Sequence, residues 1–582
     1  MPLNKRWSSF LTVSAIFVFF FTLLHTTSSP PHVSLPNRFT TPNRCPLTPP
    51  NPPYNRTTTT GFSWHDIPLN YPVSEFTSLP TSPRSQLPRI QAPSPPTNPS
   101  SRSETLRRSR QAAIKASFQR SWTAYETHAW KADELRPLSG GKKNPFGGWG
   151  ATLVDNLDTL LIMDLNEEFE RAVAALMDVD FSPHSSSQST VNLFETTIRY
   201  LGGFIAAYDL TGCHDTRLLD KAVQIADMIY HSFDTASHMP ITRWNPHKAA
   251  GGERQVPAAQ GIIAEMASSS LELTRLSQLT GDMRFFDAIS RVTDALDDQS
   301  SKTRIPGLWP VGVDVQKPDL TKGSTFSFGG MADSAFEYLG KTYQLLGGVG
   351  QAEQYKRLYE GAMEAGAKHL LFRPMVYDNA DILLPGVAHA TIKKVGLETR
   401  TEHLACFVGG MYALGGKLFE NETHLKLGRK LADGCIWYYR NSPQGIMPEV
   451  VTVPSCPSWN ECQWDEEEEL YTHVRDKHFL LRPEALESVF YLWRITGDEK
   501  YREAAWEMYV AIEAATRTKY ANAAVRDITV KKPADIEQED SMESFWMAET
   551  LKYLYLIFSE PDYISLDEFV FNTEAHPFRL PR

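Results

Sequence analysis

Carboxylates placed where solubility does not require them are the residues of this sequence best suited to chemistry. Glu195 stands in Phe194-Glu195-Thr196-Thr197-Ile198-Arg199, with Leu201, Gly202, Gly203 and Phe204 following. Its spacing of four to Arg199 puts both on one helix face, where a surface ion pair is the plain alternative. Asp333 follows the glycine loop Phe328-Gly329-Gly330-Met331-Ala332 at the entry to a helical pattern, a place that a simple cap also fills. Glu449 follows the turn Gly445-Ile446-Met447-Pro448. In Leu481-Arg482-Pro483-Glu484-Ala485-Leu486-Glu487, proline near a helix start puts Glu484 and Glu487 on one face of the first turn. Glu543, in Met542-Glu543-Ser544-Phe545-Trp546, also reads as a helix start. Taken singly, each is a favourable charge at a helix N-terminus.

Taken together, they offer the two carboxyl groups that glycoside hydrolysis needs: an acid to protonate the leaving oxygen and a base to activate water or attack. Clustered like charges raise the pKa of one member, so that it keeps its proton. Near the C-terminus, Phe571-Asn572-Thr573-Glu574-Ala575-His576-Pro577-Phe578 adds a hydroxyl, a carboxylate and an imidazole between two phenylalanines. Chain ends are ordinarily frayed and polar, so this composition predicts a docked tail that carries polar groups inward. No Ser-His-Asp order, phosphate loop or nucleotide fingerprint competes with this chemistry. Lys and Arg number 58 against 69 Asp and Glu, a net charge of -11 that repels a phosphate backbone and argues against nucleic acid as a partner.

Carboxylates so far apart in sequence converge only if a regular architecture returns each helix start to one rim. A repeated phrase supplies it, in which a helical pattern ends at glycine and another begins. It occurs as Ala207-Tyr208-Asp209-Leu210-Thr211-Gly212, Leu276-Ser277-Gln278-Leu279-Thr280-Gly281, Tyr343-Gln344-Leu345-Leu346-Gly347, Tyr412-Ala413-Leu414-Gly415 and Trp493-Arg494-Ile495-Thr496-Gly497. Glycine ends helices because it accepts the left-handed conformation at little cost. The intervals of 69, 66, 68 and 82 residues are too long for a single solenoid repeat and hold two helices plus a loop. With one more hairpin at each end, about seven pairs fit, which predicts an all-α ring of helical hairpins rather than an open array. Ordinary helix ends in an unrelated all-α protein are the alternative. A helix of about thirty residues, from Ser103 through Leu106, Ile114, Phe118, Trp122 and Tyr125, opens the folded part.

The segments before and within this ring read differently. Residues 1–6 form a short basic tail ending in Lys5 and Arg6, and residues 7–25 are uncharged and apolar, long enough for a signal anchor that leaves the remaining chain luminal. A cleaved signal peptide is the competing reading. Residues 26–102 are rich in Pro, Ser and Thr, with 18 of the 39 prolines between Pro30 and Pro99, and predict a disordered stem. Residues 103–582 are then the folded domain. Asn55-Arg56-Thr57 and Asn421-Glu422-Thr423 are glycosylation sequons. The longest glycine interval contains an insert, Val453 to Leu470, with Cys456, Cys462 and the acidic run Asp465 to Glu469. Followed by His473 and His478, the two cysteines superficially resemble a zinc site, but their spacing and a luminal compartment favour a disulfide. The acidic run reads as a solvated loop.

From about residue 105 to the C-terminus the chain resembles class I α-1,2-mannosidases, glycoside hydrolase family 47. The matching pieces are Ala151-Thr152-Leu153-Val154-Asp155-Asn156-Leu157-Asp158-Thr159-Leu160, the Glu195 stretch, Ala332-Asp333-Ser334, His403-Leu404-Ala405-Cys406-Phe407, Leu481-Arg482-Pro483-Glu484, Met542-Glu543-Ser544-Phe545 and Phe571 to Pro577. The resemblance implies an (α/α)7 barrel with minor β-hairpins and a bound Ca2+. It also implies release of terminal α-1,2-linked mannose from high-mannose N-glycans, with inversion. Carried over to this sequence, Glu195 supplies the acid function through a water, with Asp333 the other acid candidate, and Glu484 is the base. Glu449, Glu487, Glu543 and Glu574 line the sugar site or hold calcium-bound waters, Arg199 positions Glu195, and Thr573 binds Ca2+ through its carbonyl and hydroxyl oxygens. Six to eight oxygens surround calcium, so water completes the shell. Cys406 and Cys435 match the family's disulfide pair, whereas a Cys456–Cys462 bridge is proposed from spacing alone.

Arg199 beside Glu195 should lower an acid's pKa, and only the surrounding carboxylates oppose it. Met331 stands where enzymes that remove a single mannose carry arginine, which suggests broader trimming of the Golgi kind. The expectation is thus a monomeric, luminal catalytic domain, anchored in a Golgi or endoplasmic reticulum membrane and acting on glycoprotein N-glycans. The competing function is a lectin-like quality-control factor that binds mannose without efficient hydrolysis, against which the intact set of Glu195, Asp333 and Glu484 argues.

Overall fold

Helices dominate because amphipathic stretches alternate with stretches that are apolar all round, and a ring of hairpins buries both kinds. The computed structural model describes residues 45–55, 61–82, 85–93 and 101–581. The expected tail, the anchor at 7–25 and the first part of the stem lie outside them. Among the described residues, no helix is long and apolar enough to cross a membrane.

Fourteen helices make the ring. The outer ones are α1 (Ser101–His128), α3 (Asn166–Met177), α5 (Thr216–Tyr230), α7 (Met283–Ser300), α9 (Ala352–His369), α11 (Glu422–Asn441) and α13 (Glu499–Thr516). The inner ones are α2 (Leu157–Ile162), α4 (Gly202–Leu210), α6 (Ser270–Thr280), α8 (Asp333–Leu346), α10 (Val408–Leu418), α12 (Glu484–Thr496) and α14 (Leu551–Ile557). Every residue of α8 after Asp333 is buried, whereas α7 buries only one face through Phe285, Phe286, Ile289, Val292 and Leu296. The ring closes where Lys552 of α14 donates to Asp158 of α2 at 2.7 Å, and α1 packs outside α14 as the seventh outer helix.

Gly212, Gly281, Gly347 and Gly497 have φ between 66° and 74° and end inner helices as expected. Gly415 does not. It lies within α10, where a Cβ would come 2.0 Å from the Tyr359 hydroxyl, and the turn falls at Glu420 with φ 52°. Close helix packing, not a left-handed turn, put glycine there.

Short strands hang from the end of the barrel where inner helices begin. β1 (Thr325–Ser327), β2 (Val387–Ala390) and β3 (Val395–Glu398) form an antiparallel sheet in the order β3-β2-β1. β4 (Arg400–Glu402), β5 (Val450–Thr452) and β6 (His473–Asp476) form another, in the order β4-β5-β6. The hairpin of β7 (Phe569–Phe571) and β8 (Pro577–Arg579), with Phe569 opposite Arg579, enters from the other end and fills the ring. Phe571, Asn572, Ala575, His576 and Phe578 are fully buried, so the docked tail is part of the core.

The expected stem requires a correction. Its described residues lie against the barrel rather than extending from it. Trp64, Leu79 and Ile90 are buried, and Cys45 forms a disulfide with Cys213. Barrel carboxylates accept the segment's backbone N–H groups: Asp234 those of Asn70 and Tyr71 (2.8 and 2.7 Å), Asp287 that of Thr77 (2.9 Å) and Asp567 that of Ile90 (2.6 Å). Average composition hides this, because a few widely spaced apolar residues anchor an extended, proline-stiffened chain that has little conformational entropy to lose. Cys406–Cys435 and Cys456–Cys462 are both bridged, which removes the zinc reading, and Asp465 to Glu469 are exposed. Asn55 is exposed; Asn421 caps α11, its side-chain oxygen accepting from the Thr423 and His424 N–H groups.

Candidate active site

The starts of the inner helices carry the site. Asp333 is the first residue of α8 and Glu484 the first of α12, while Glu195 ends a helical turn (Leu193–Glu195) that runs through a π-helical turn (Thr196–Leu201) into α4. From the opposite end, the β7–β8 hairpin lifts Thr573 and Glu574 to the same level. One cavity of about 170 Å3 is lined by Glu195, Arg199, Asp333, Glu484, Glu487, Thr573 and Glu574, together with Phe194, Phe407 and Phe545. Seven of the nine residues proposed from sequence to act at the site therefore meet. Glu449 stands behind the cavity and acts through another side chain: it accepts from Arg482 and from the Leu480 N–H (3.1 Å).

Glu543 also lies outside the lining. The helix starts after it, and a second π-helical turn, Trp546–Thr550, delivers Glu549 to the cavity instead. π-turns commonly mark functional sites in helices. Here both occur in the inner helices flanking the tail, and each positions a lining charge, Arg199 in one and Glu549 in the other. Neither turn leaves a trace in hydrophobic periodicity. Three further residues line the cavity: Glu549 was missed for that reason, Glu337 because a helical Glu four residues after Asp333 looks like ordinary surface charge, and Arg482 because it was read only as part of the phrase leading to Glu484.

Arg199 is the hub of one wall. Its Nε donates to Glu195 at 2.8 Å, and its Nη1 donates to Glu574 (2.8 Å) and Ser544 (3.1 Å) and pairs with Asp155 at 3.3 Å. Burial pushes Glu574 up to about 8 even against this arginine, with Asp155 and Glu195 adding repulsion. Opposite it, Arg482 Nη1 lies 3.4 Å from Glu484 Oε1, and His403 Nδ1 lies 3.4 Å from Oε2, with His403 Nε2 held by Tyr439 at 2.6 Å. Burial alone would raise the Glu484 pKa, but Arg482 and His403 outweigh it and hold the carboxyl below its ordinary value. Asp333 has no such cation. Loss of solvation pushes it up to about 7, with Glu337 adding repulsion, while its Oδ1 accepts the Ser334 N–H at 2.8 Å. The wall carries one carboxyl poised to hold a proton and another poised to lack one.

This geometry has counterparts among known proteins. Residues 117–580 match glycosyl hydrolase family 47. The chain belongs to that family. A mannosyl-oligosaccharide 1,2-alpha-mannosidase of Arabidopsis thaliana is 34% identical over 493 residues, covering 81% of this chain and 79% of its own. The endoplasmic reticulum mannosyl-oligosaccharide 1,2-alpha-mannosidase of Homo sapiens is 35% identical over 475 residues, covering 81% of this chain and 64% of its own. An alpha-1,2-mannosidase structure from Trichoderma reesei superposes with a TM-score of 0.73 at 31% identity, covering 81% of this chain and 99% of that one. The fold of this family 47 protein is thus the (α/α)7 barrel, and the protein is a glycoside hydrolase.

The donor set of the family 47 cavity fits a hard cation. Around Thr573 stand the carboxylates of Glu487, Glu549 and Glu574, and beneath the tip Glu272 accepts from Tyr338 (2.7 Å) and Asn572 (2.9 Å) with its second oxygen buried and without a hydrogen-bond partner. Burial raises Glu487 to about 8 and Glu549 well above its ordinary value. Oxygen donors in excess of nearby cations are what calcium selects.

Proposed function

We propose that this family 47 enzyme removes terminal α-1,2-linked mannose from high-mannose N-glycans, with inversion and in dependence on Ca2+, within the secretory pathway. The observation that carries the reading is that Asp333 and Glu484 line one cavity in opposite settings, Asp333 buried beside Glu337 and Glu484 between Arg482 and His403. Near neutral pH, Asp333 holds a proton to give to the glycosidic oxygen, and Glu484, kept ionised by Arg482 and His403, takes one from the attacking water. The water's oxygen bonds to the anomeric carbon as the bond to the leaving oxygen breaks. Glu195, paired with Arg199, is the alternative acid, acting through a water. Phe194, Phe407 and Phe545 supply apolar faces for the sugar ring.

Calcium, when bound, orients sugar hydroxyls and acidifies water; Thr573 would hold it, with Glu487, Glu549 and Glu574 facing it through water. The names of the relatives support the substrate and the secretory compartment, and residues 7–25 support a membrane anchor there.

The test is release of free mannose from a high-mannose glycan by the full chain. Glu484→Gln should lower turnover by at least a thousandfold while the protein stays folded, with a somewhat lower melting temperature at neutral pH because the pairing of the ionised carboxyl with Arg482 and His403 is lost. Calcium should raise the melting temperature of the wild type and not that of Thr573→Val. Glycan binding without mannose release would instead establish the lectin-like function, and full activity after exhaustive chelation would end the calcium role.

A further inference from the structure

The segment formed by residues 45–55, 61–82 and 85–93 precedes the part of the chain that matches the family, and both of its ends arrive at the same place. At one end, the Cys45–Cys213 bridge lies against Asp209, whose Oδ1 is 3.7 Å from Cys45 Sγ and 3.6 Å from Cys213 Sγ. Asp209 is buried, is gripped by Arg275 (2.9 and 2.7 Å), and accepts the N–H of Arg579, the last residue of β8, at 2.8 Å. At the other end, the Ile90 N–H donates to Asp567 and Gln91 Oε1 accepts the Leu566 N–H at 3.0 Å, just before β7. Gln91 also accepts from Arg494 (3.1 Å) and donates to the Pro561 carbonyl (2.8 Å).

Phe569 and Arg579 are paired residues, so the two feet of the terminal hairpin are adjacent: Gln91 holds Leu566 ahead of the first strand directly, and the Cys45 end reaches Arg579 through Asp209. Between those ends the segment passes the turns where inner helices finish: the Tyr54 N–H donates to Thr280 O (2.7 Å), that of Ser85 to Gly347 O (3.0 Å) and that of Ala92 to Arg494 O (2.8 Å).

We propose that this segment is a strap that positions the terminal hairpin, with Gln91 as its principal positioning residue and the Cys45–Cys213 bridge as its latch. A hairpin of two three-residue strands does not hold itself. The approach to its first foot is paired directly by the strap, through Gln91 and the Ile90 N–H, and its second foot by Asp209, against which the strap's disulfide lies. Loss of those partners leaves donors and acceptors unpaired in the core, and local opening becomes the cheapest relief. The hairpin tip carries Thr573 and Glu574, so its depth in the barrel sets where they stand in the cavity. That functional half rests on the proposed reading of the site; the structural half does not.

The experiment uses the full chain and two independent variants, Gln91→Ala and the pair Cys45→Ser with Cys213→Ser. Amide hydrogen exchange is followed over Phe569 to Arg579, with α11 as the internal reference for global unfolding. Hairpin amides should exchange at least tenfold faster while α11 stays unchanged. Gln91→Glu, which keeps the acceptor for Leu566 and Arg494, should restore most of the protection. In Gln91→Ala, kcat/KM for mannose release should fall at least fivefold, mainly through KM. Unchanged hairpin exchange, or equal acceleration everywhere, overturns the strap's positioning role. Faster hairpin exchange with unaltered mannose release overturns the link from hairpin depth to the site. Should the cysteine pair fail to fold, Gln91→Ala alone decides. A wild type that releases no mannose would refute the proposed activity but would leave the exchange result to judge the strap.

Discussion

Asp333 illustrates how one side chain trades stability for chemistry. Its folded pKa of about 7 lies above the ordinary 3.8, so the folded state binds the proton more tightly than the unfolded chain does. The stabilisation is therefore complete below about pH 4 and is lost as pH rises through about 7, a cost of about 4 kcal/mol at alkaline pH. Asp333→Asn, which keeps an acceptor for the Ser334 N–H, should therefore melt higher than the wild type at pH 8 and nearly level with it at pH 4, while losing at least a thousandfold in turnover. Thermal melts at the two pH values check this; equal melting at both would remove the raised pKa. In the wild type, kcat/KM should decline as pH climbs past about 7, because the acid loses its proton there, whereas Glu484 stays ionised well into the acid range. The family resemblance assigned Glu484 as base and Asp333 as an acid candidate, but not the pKa values behind those roles. These are set by burial, with Glu337 adding to it at Asp333 and Arg482 and His403 overcoming it at Glu484.

At the scale of elements, glycine turns and helical periodicity made the ring legible, because a helix end and an apolar stripe are written in neighbouring residues. The failures have one kind of cause. Gly415 was read as a turn because its sequence context matched the other four, yet it answers to the Tyr359 hydroxyl from another hairpin. Glu543 was read as a lining residue because it begins a familiar phrase, yet it precedes the helix, and the π-helical turn that follows carries Glu549 into the lining. Both depend on contacts that local spacing does not encode. The two glutamates make a direct test. Glu549→Gln should lower kcat/KM at least a hundredfold, whereas Glu543→Gln, outside the cavity lining, should stay within about fivefold of the wild type. Mannose-release kinetics of the two variants would settle which glutamate serves the site, and the reverse order would return Glu543 to it.

For the whole molecule, the boundary of the folded unit is the point at which sequence and structure part most. Composition placed it at residue 103, because proline, serine and threonine before it suggest a chain that cannot offset its ordering entropy. Among the described residues the chain is already packed at Cys45, because the barrel supplies what the strap lacks: carboxylates at Asp234, Asp287 and Asp567 for its N–H groups, pockets for Trp64, Leu79 and Ile90, and a sulfur partner in Cys213. The energies involved are not small. A native disulfide contributes about 2–4 kcal/mol, and full burial of a large apolar side chain adds about 1.5–3 kcal/mol. A protein cut at residue 103 forfeits all of these and leaves Cys213 as a free thiol beside a buried Asp209–Arg275 pair. In a large domain each kcal/mol shifts the melting temperature by about 2–4 °C or less, so residues 103–582 should melt at least about 5 °C below residues 45–582. Calorimetry of the two lengths provides the comparison, and equal melting would mean that the strap rests on the barrel without stabilising it, restoring the boundary at residue 103.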